Sequence, residues 1–440
     1  MEVETSSDKN IILITIDCLR ADHIHCMGYE KDITPTIDWL AKNGIMFSNA
    51  FANGPYTPYS VPSFLTSNIP PIPKRANTIA QILKKNGYSA FAFVPNPIIF
   101  SESIGGFRAN QGFDLFDLML SKGKQYRLTI EFLRMAIMKY FRLGLKEKSM
   151  IHKSFYKIYD KLIQTLPRLF CPKNHLHIPT AEHVNKRAIN CIKDQKNKFF
   201  LWLHYMDVHE PYAPMNYENQ DEMLYLITKY RDFPNMLSKE EIQKLINLYD
   251  LELEYTDKAL NNFLKELKKL KLLDKSIIIL SADHGDAFGE HGTLGHGGKF
   301  RAQLYDEFLH VPLIIHGFKE KGIVIDRQVQ LLDLAPTICK LLKIPTPPSF
   351  FGESLFSPTP RRLIAKSGWY LGYRTDDYKL IINKSEFDQP GLYDLKKDPE
   401  EKTNIYNKNK ELRDRLESEM VALLEQYKKK KDLLDIKVKL

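Results

Sequence analysis

The sequence predicts an α/β fold in which a mixed, mostly parallel central sheet is flanked by helices. Short apolar runs alternate with amphipathic helical patterns along most of the chain, and polar residues crowd directly behind several of these runs. This alternation is typical of βαβ units, whose strands are buried on both faces. At 440 residues the chain exceeds what one hydrophobic core usually supports, so we also expect a smaller second domain.

The individual elements follow from local patterns. Strands are predicted at residues 11–16, 46–51, 89–94, 199–204, 276–281 and 311–316, where β-branched and aromatic residues are concentrated. A helix is predicted over residues 34–43 with Pro35 at its first position, and another over 79–86, closed by Gly87. These patterns predict a catalytic α/β domain over residues 1–345.

The rest of the chain departs from this rhythm in two places. Residues 346–440 are predicted to form a small C-terminal α+β subdomain, with strands near 378–382 and 391–393 and a helical, Lys-rich tail. Residues 119–180 are predicted to form a basic helical insertion, because the segment from Ser121 to Phe170 contains 12 Lys or Arg but only three acidic residues. The insertion is expected to be either a lid or peripheral helical pair packed on the domain, or a basic amphipathic face that contacts an anionic membrane or captures a lipid-linked anionic substrate.

Composition narrows the classes of function. The net charge is +9, but 54 acidic residues are mixed with 63 basic ones, and no basic motif with interleaved stacking aromatics indicates nucleic-acid binding. Five cysteines without CxxC spacing indicate reduced thiols. With a polar N-terminus and no run of 18 apolar residues, we expect a cytoplasmic protein. The sequence does not indicate an oligomeric state.

Candidate site residues follow the predicted strands. They are Asp17, the segment 55–60, His209, Asp283, His284 and His296. In open α/β sheets ligands bind at the carboxyl ends of the strands, so these side chains are expected to meet. Carboxylates together with imidazoles suit Zn²⁺ or Mn²⁺ better than an all-oxygen Ca²⁺ site, although Ca²⁺ and Mg²⁺ stay open. The sequence therefore predicts a divalent-metal centre with one or two ions.

Taken together, these motifs resemble the sulfatase branch of the alkaline phosphatase superfamily. The resemblance covers residues 11–17, 203–212 and 281–299, and it extends to the tail pattern 392–404. It implies an alkaline phosphatase-like fold and a metal-dependent hydrolase of sulfate or phosphate esters. It also implies that Asp17, Asp283 and His284 are ligands of the main metal. Cys18 stands where many sulfatases have a second Asp, and we expect it to pack as a small buried residue.

The nucleophile loop departs from the usual sulfatase pattern. Sulfatases that use formylglycine carry a C/S-x-P-S-R signature, whereas the segment beginning at Ser60 has Phe64 in place of the arginine. Counting back from the Leu of the following Leu-Thr-Ser by the family spacing reaches Thr57 instead. The segment 57–64 is also similar to the threonine-nucleophile segment of phosphoethanolamine transferases, although their membrane-spanning helices are missing here. The resemblance therefore favours Thr57 as nucleophile and metal ligand, with Ser60 as the alternative nucleophile.

The same transferases add further expectations. Residues 20–23 resemble their Arg-Ala-Asp-His, and His209 and His296 match their second-site histidines. Thr57 is expected to attack the sulfur or phosphorus in line, forming a covalent ester that water or an acceptor hydroxyl displaces. The residues expected to hold the ester oxygens or protonate the leaving group are His204, Arg20 and Lys299.

Three functions remain open at this point. The first is hydrolysis of an anionic ester, on a glycan or a lipid-linked molecule. The second is a phosphotransferase that passes a substituted phosphoryl group to a glycan or lipid-linked sugar. The third is a non-catalytic binding protein that has kept the sulfatase fold.

Overall fold

The computed structural model describes most of the chain, and the described residues are 8–73, 76–100, 107–119, 150–166, 179–296, 304–359, 361–383 and 389–436. The strands of the larger sheet are β1 (Asn10–Ile16), β2 (Gly44–Phe51), β3 (Ser89–Phe93), β4 (Leu115–Asp117), β5 (Phe199–Tyr205), β6 (Ser276–Ala282), β7 (His310–His316), β8 (Ile323–Ile325) and β9 (Val329–Gln330). The strands of the smaller sheet are β10 (Leu363–Ser367), β11 (Tyr370–Arg374), β12 (Tyr378–Asn383) and β13 (Gly391–Asp394).

Helices connect and cover these strands. They are α1 (Pro35–Lys42), α2 (Thr57–Thr66), α3 (Ile79–Lys85), α4 (Met150–Thr165), α5 (Ala181–Ile192), α6 (Gln220–Asp232), α7 (Lys239–Lys269), α8 (Asp306–Leu309), α9 (Leu334–Leu341) and α10 (Lys410–Ile436). Short 3₁₀ turns lie at Ala21–His23, His25–Met27, Pro97–Phe100, Pro234–Met236, Glu290–Gly292 and Leu331–Asp333.

The larger sheet has the order β4-β3-β5-β1-β6-β7-β2-β8 among the described residues, with β9 also paired to β2. Every pair is parallel except β6–β7 and β7–β2. This is the mixed, mostly parallel sheet that the sequence predicts, and all six predicted strands belong to it.

The direction of β7 matters for the site. Because β7 is antiparallel to both of its neighbours, β2 runs in the same direction as β6, β1 and β5. The carboxyl ends of these four strands therefore lie along one edge. β1 is buried over its whole length between β5 and β6, because its continuous apolar run leaves no polar face for solvent.

The C-terminal sheet is antiparallel, in the order β10-β11-β12-β13. Leu412, Leu416 and Met420 of α10 pack on Leu380 and Leu392 of this sheet, as the helical pattern of the tail predicts. The smaller α+β unit is thus confirmed, while the boundary at residue 345 stays a prediction.

The basic insertion is only partly described. Its helix α4 packs against α6, and the Tyr225 hydroxyl donates to Asp160 over 3.0 Å. Residues 120–149 and 167–178 lie outside the described residues, so membrane contact through 119–180 stays a prediction. Among the helices of the described ranges, none combines the length and the apolar character needed to cross a bilayer.

A buried ion-pair group joins the two sheets. The Lys379 ammonium of β12 contacts Asp306 of α8 and lies 2.8 Å from Glu401 Oε1, and the Lys379 side chain is only 1% exposed. Arg374 of β11 adds a 3.0 Å contact to Asp306. Because α8 leads directly into β7, this group fixes the smaller sheet to the larger one.

We predict that Lys379→Met destabilises the protein by about 3–5 kcal/mol, because removing the ammonium leaves the buried Glu401 carboxylate without its cation and leaves Asp306 paired with Arg374 alone. Urea denaturation measures the loss. Lys396→Met is the matched control, since Lys396 pairs with Asp377 at 2.8 Å on the exposed surface of the same unit and its loss should change stability little. Equal effects of the two substitutions would contradict this account of how the sheets are joined.

Candidate active site

The aligned strand ends bring the principal candidate residues together. Asp17 follows β1, Asp283 and His284 follow β6, and Thr57 begins α2 just after β2. The Thr57 hydroxyl lies 3.3 Å from Asp17 Oδ2 and 3.4 Å from His284 Nε2. His284 Nε2 is 3.4 Å from Asp17 Oδ1 and 3.6 Å from Asp283 Oδ2. A hydroxyl, two carboxylates and an imidazole thus share one buried position.

The orientation of His284 leaves a lone pair facing this group. Its Nδ1 lies 2.7 Å from the Gly285 carbonyl oxygen, which can only accept, so Nδ1 carries the proton. In the neutral ring, Nε2 is then unprotonated and points toward the carboxylates. A backbone carbonyl that fixes the tautomer in this way is a common feature of metal-binding histidines.

The charges of the group fit a cation. Asp283 Oδ2 is buried and has no hydrogen-bond partner, although buried polar atoms normally have one. Burial and repulsion from Asp17 raise the pKa of Asp283. Burial alone would raise the pKa of Asp17, but the nearby His209, His204 and His284 hold this pKa well below its ordinary value. Two adjacent buried carboxylates facing an imidazole lone pair form a donor set that suits a divalent cation.

Buried side chains hold the Asp17 carboxylate in position through hydrogen bonds. Asn96 donates to Asp17 Oδ2 over 2.9 Å, and His204 Nε2 lies 3.1 Å from the same oxygen. His204 Nδ1 in turn lies 2.8 Å from the Thr15 hydroxyl, which also accepts from the Trp202 indole. The structure thus brings His204 to Asp17, where it is completely buried; its expected contact with the ester stays a prediction.

A second group of ligand-type side chains adjoins the first. Cys18, His209, Glu210 and His296 each offer an atom within 4.8 Å of the others. The His296 ring lies 4.7 Å from the His284 ring, centroid to centroid, which joins the two groups. Against the effect of burial, the carboxylates of Glu210 and Asp286 raise the pKa of His296 to about 10. The whole region therefore has an excess of negative charge.

Two other described candidates, Ser60 and Arg20, have different surroundings. Ser60 is buried in α2 and its hydroxyl has no hydrogen-bond partner. The Arg20 guanidinium contacts Asp22, Glu290 and the Asp286 carbonyl, so it ties the loop after β1 to the loop after β6. Its contact with the ester stays a prediction. Lys299 lies outside the described residues.

Two family models match the chain. The model described as Sulfatase matches residues 9–344, and the model described as N-sulphoglucosamine sulphohydrolase, C-terminal, matches residues 362–430. The chain belongs to the sulfatase family. The resemblance inferred from the motifs is confirmed at this level.

Individual relatives agree with this assignment. The chain is 24% identical to an arylsulfatase of Clostridium perfringens over 93% of this chain and 92% of the relative. The phosphonate monoester hydrolase of Agrobacterium radiobacter superposes with a TM-score of 0.67 at 18% identity, covering 95% of this chain and 96% of that one. A structure determined in complex with its substrate, D-glucosamine-2-N, 6-O-disulfate, superposes with a TM-score of 0.60 at 19% identity. The superposition covers 97% of this chain and 98% of that one.

These findings make the chain a sulfatase-family ester hydrolase with an alkaline phosphatase-like fold. The enzyme interpretation is thereby favoured over a non-catalytic binding protein.

Sequence reasoning missed three contributors to this sulfatase-family site. Asn96 lies just beyond β3, and its position after a strand was the available signal. Tyr212 donates to the buried Asp286 over 2.7 Å, but nothing in its sequence context indicates this contact. Glu210 directly follows His209 in the sequence, and that position beside a candidate ligand was the available signal.

Gly285 is essential for the geometry of the loop that bears Asp283 and His284. A Cβ atom at this position would lie 2.1 Å from the Glu307 carbonyl oxygen. The Gly285 amide donates to Phe308 over 2.8 Å, and its carbonyl fixes His284. The loop therefore depends on this close backbone approach.

We predict that Gly285→Ala lowers stability by about 1–3 kcal/mol through overpacking, and that it also displaces His284. Thermal or urea unfolding together with metal affinity measures both effects. Gly372→Ala is the control, because its nearest neighbour would lie at 3.4 Å and Ala is favoured over Gly in a strand by about 0.5–1 kcal/mol. A Gly285→Ala protein as stable as the control variant would contradict the close approach.

Proposed function

We propose that this chain hydrolyses sulfate or phosphate esters with Thr57 as the covalent nucleophile and with a divalent cation held by Asp17, Asp283 and His284. The observation that carries the proposal is the position of the Thr57 hydroxyl, between Asp17 Oδ2 and His284 Nε2 at the start of α2. Zn²⁺ and Mn²⁺ suit this mixed carboxylate and imidazole set. When bound, the cation would neutralise ester oxygens and lower the pKa of the hydroxyl.

The residues of the chain account for the chemical steps. Thr57 Oγ1 attacks the phosphorus or sulfur, and the bond from that atom to the leaving alcohol oxygen breaks. The hydroxyl proton passes to Asp17 Oδ2, to which Thr57 already donates, and the leaving alcohol oxygen takes up a proton from water. Water then attacks the Thr57 ester, which releases inorganic phosphate or sulfate and restores the hydroxyl.

The start of α2 favours an anionic ester at this point. Thr57 is the first residue of the helix and Pro58 follows it, as expected where the first amide of a helix has no intrahelical partner. The positive end of the helix dipole therefore faces the position of the ester oxygens. Asn96 and His204 keep Asp17 in place while charge develops nearby.

A cavity beside His209 has the size and lining for the alcohol part of the ester. It measures about 530 Å³ and is lined mainly by apolar and aromatic residues, including Met206, Tyr217 and Tyr255. Three carboxyl groups also line it, those of Asp207, Glu252 and Glu254, and burial raises the pKa of Asp207 to about 7 and that of Glu252 to about 8. Carboxyl groups that are partly protonated near pH 7 can both donate and accept hydrogen bonds, which suits sugar hydroxyls.

We therefore propose an ester of a glycan, or of a lipid-linked sugar, as the substrate class. The relative solved with a sulfated glucosamine as its substrate supports this choice. Transfer of the group from Thr57 to a sugar hydroxyl is the second candidate, because the same cavity can admit an acceptor in place of water.

The test of the nucleophile uses metal-stripped protein reloaded with Zn²⁺ or Mn²⁺ and aryl sulfate, phosphate monoester and phosphodiester substrates. Thr57→Ala should lower kcat by at least about 10³-fold, because it removes the covalent step. Thr57→Ser keeps a hydroxyl and should keep measurable turnover. Denaturing the wild-type enzyme during turnover and measuring the mass of the 55–66 peptide should show the added group on Thr57.

Ser60→Ala is the matched control, since it removes a buried hydroxyl three residues along the same helix. It should leave kcat within a few-fold of the wild type. Loss of activity in Ser60→Ala with activity kept in Thr57→Ala would overturn the assignment. Adding glycerol separates the two candidates: a glycerol ester as the main product indicates transfer, whereas free phosphate or sulfate indicates hydrolysis.

A further inference from the structure

We propose that helix α4 attaches the protein reversibly to the surface of an anionic membrane. The attachment uses an exposed apolar stripe, Ile158, Leu162 and Leu166, together with the neighbouring Lys157 and Lys161. Membrane binding can be measured without any turnover, so it does not depend on the function proposed above. Its consequence for the substrate, which is a preference for a lipid-linked sugar ester, rests on that proposed function.

Helix α4 carries more apolar surface than its packing on the protein requires. One face is buried, because Tyr159 is only 6% exposed and Ile163 is completely buried. A second face is open to solvent, where Ile158 is 62% exposed, Leu162 43% and Leu166 49%. A surface helix of a globular protein normally keeps its apolar residues in one stripe that faces the core. The second stripe therefore suits contact with an external apolar surface.

The three exposed residues form one continuous stripe. They are spaced four residues apart, so they lie on the same side of the helix. The Leu166 amide donates to the Leu162 carbonyl over 2.9 Å, which continues the helical turn as far as Leu166. At about 1.5 Å of rise per residue, the stripe is roughly 12 Å long. Of the eleven large hydrophobic residues exposed in the described ranges, three lie here, which distinguishes the stripe from apolar residues scattered singly over a surface.

The charges beside the stripe are positive. Lys157 and Lys161 are exposed next to it, whereas Asp160 is turned toward the protein, where the Tyr225 hydroxyl lies 3.0 Å from it. Residues 121–170, which include α4, contain 12 Lys or Arg and only three acidic residues. In the interface of an anionic membrane, aliphatic side chains enter the acyl boundary while lysines reach the lipid phosphates. The lysines therefore favour an anionic lipid surface over an apolar groove of another protein.

The contacts of α4 show which way the stripe runs along the protein. Gln164, near the end of α4, donates to the Tyr225 hydroxyl over 3.4 Å. Tyr159, one turn earlier, packs edge-to-face on Phe233, which directly follows α6, with ring centroids 5.3 Å apart. Helices α4 and α6 are therefore antiparallel, and Leu166 lies toward the start of α6.

The start of α6 belongs to the cavity assigned above to the alcohol part of the ester. Gln220 and Met223 of this helix line the cavity. Met215 and Leu251 also line it, and they are 79% and 40% exposed. The stripe thus leads toward the cavity, so a protein that rests on a membrane through α4 holds the cavity close to the lipid surface. A sugar ester on a lipid is the substrate that this position favours.

Flotation of the full chain with lipid vesicles tests the attachment. The wild type should bind vesicles made of equal parts phosphatidylglycerol and phosphatidylcholine, and should bind phosphatidylcholine alone much more weakly. The variant I158D/L162D should bind the anionic vesicles at least about tenfold more weakly, because it removes two aliphatic side chains from the lipid. The variant K157Q/K161Q should weaken binding to the anionic vesicles by roughly fivefold for each lysine and should leave binding to neutral vesicles unchanged.

Val421→Asp is the matched control, because Val421 is a 50% exposed apolar residue on a different helix, α10. It should bind vesicles as the wild type does. The α4 variants should unfold at the wild-type temperature, since the replaced side chains are exposed. Leu162→Trp reports insertion directly, because brominated lipids in the vesicles should quench the fluorescence of the new indole.

The proposal is overturned if the wild type does not float with anionic vesicles, or if I158D/L162D binds them as tightly as the wild type. A wild-type dimer that I158D/L162D converts to a monomer would assign the stripe to a second copy of the chain. A loss of stability in that variant would assign it to packing within the chain, and either result also overturns the proposal. Vesicle binding without ester turnover would retain the attachment and reject the proposed function, whereas turnover of soluble esters without vesicle binding would do the reverse.

Discussion

The crowding of buried carboxylates at one edge of the sheet is the constraint on which the rest of the site depends. Asp17, Asp283 and Asp286 are completely buried, and Glu210 lies beside them. Charges in such a setting are costly unless they are paired or bound to metal. Among the described residues, the imidazoles only partly balance these charges, and Arg20 is already engaged by Asp22 and Glu290. The divalent cation that we propose would resolve the imbalance, and it would explain why Asp283 Oδ2 has no hydrogen-bond partner.

The topology of the sheet makes this crowding achievable. Residues that lie far apart in the sequence meet because β1, β5, β6 and β2 all run in the same direction, with β7 reversed between β6 and β2. Thr57, the first residue of α2, lies at the same edge of the sheet. The proposed nucleophile, the proposed metal ligands and the helix dipole thus converge as a consequence of strand order, and Gly285 and the Tyr249 hydroxyl fix the loops through local contacts.

Much of this arrangement could be predicted from the sequence, because the apolar runs alone show where the buried strands end. The continuous runs before Asp17 and Asp283 mark buried strands, and ligands of an α/β sheet collect at their carboxyl ends. Cys18 was expected to pack as an ordinary buried residue, whereas the structure places its thiol between two ligand groups. The difference depends on a left-handed turn, which no hydrophobic pattern encodes. The roles of Asn96 and Tyr212 depend on loop paths in the same way.

Anomalous diffraction from crystals of the metal-loaded protein tests the central claim most directly. Data collected on both sides of the absorption edge of the added metal locate the ion without reference to activity. The account predicts an anomalous peak within coordination distance of Asp17, Asp283 and His284, with Thr57 Oγ1 beside it. A fully loaded crystal in which the metal lies elsewhere, or in which Thr57 points away from it, would contradict the account.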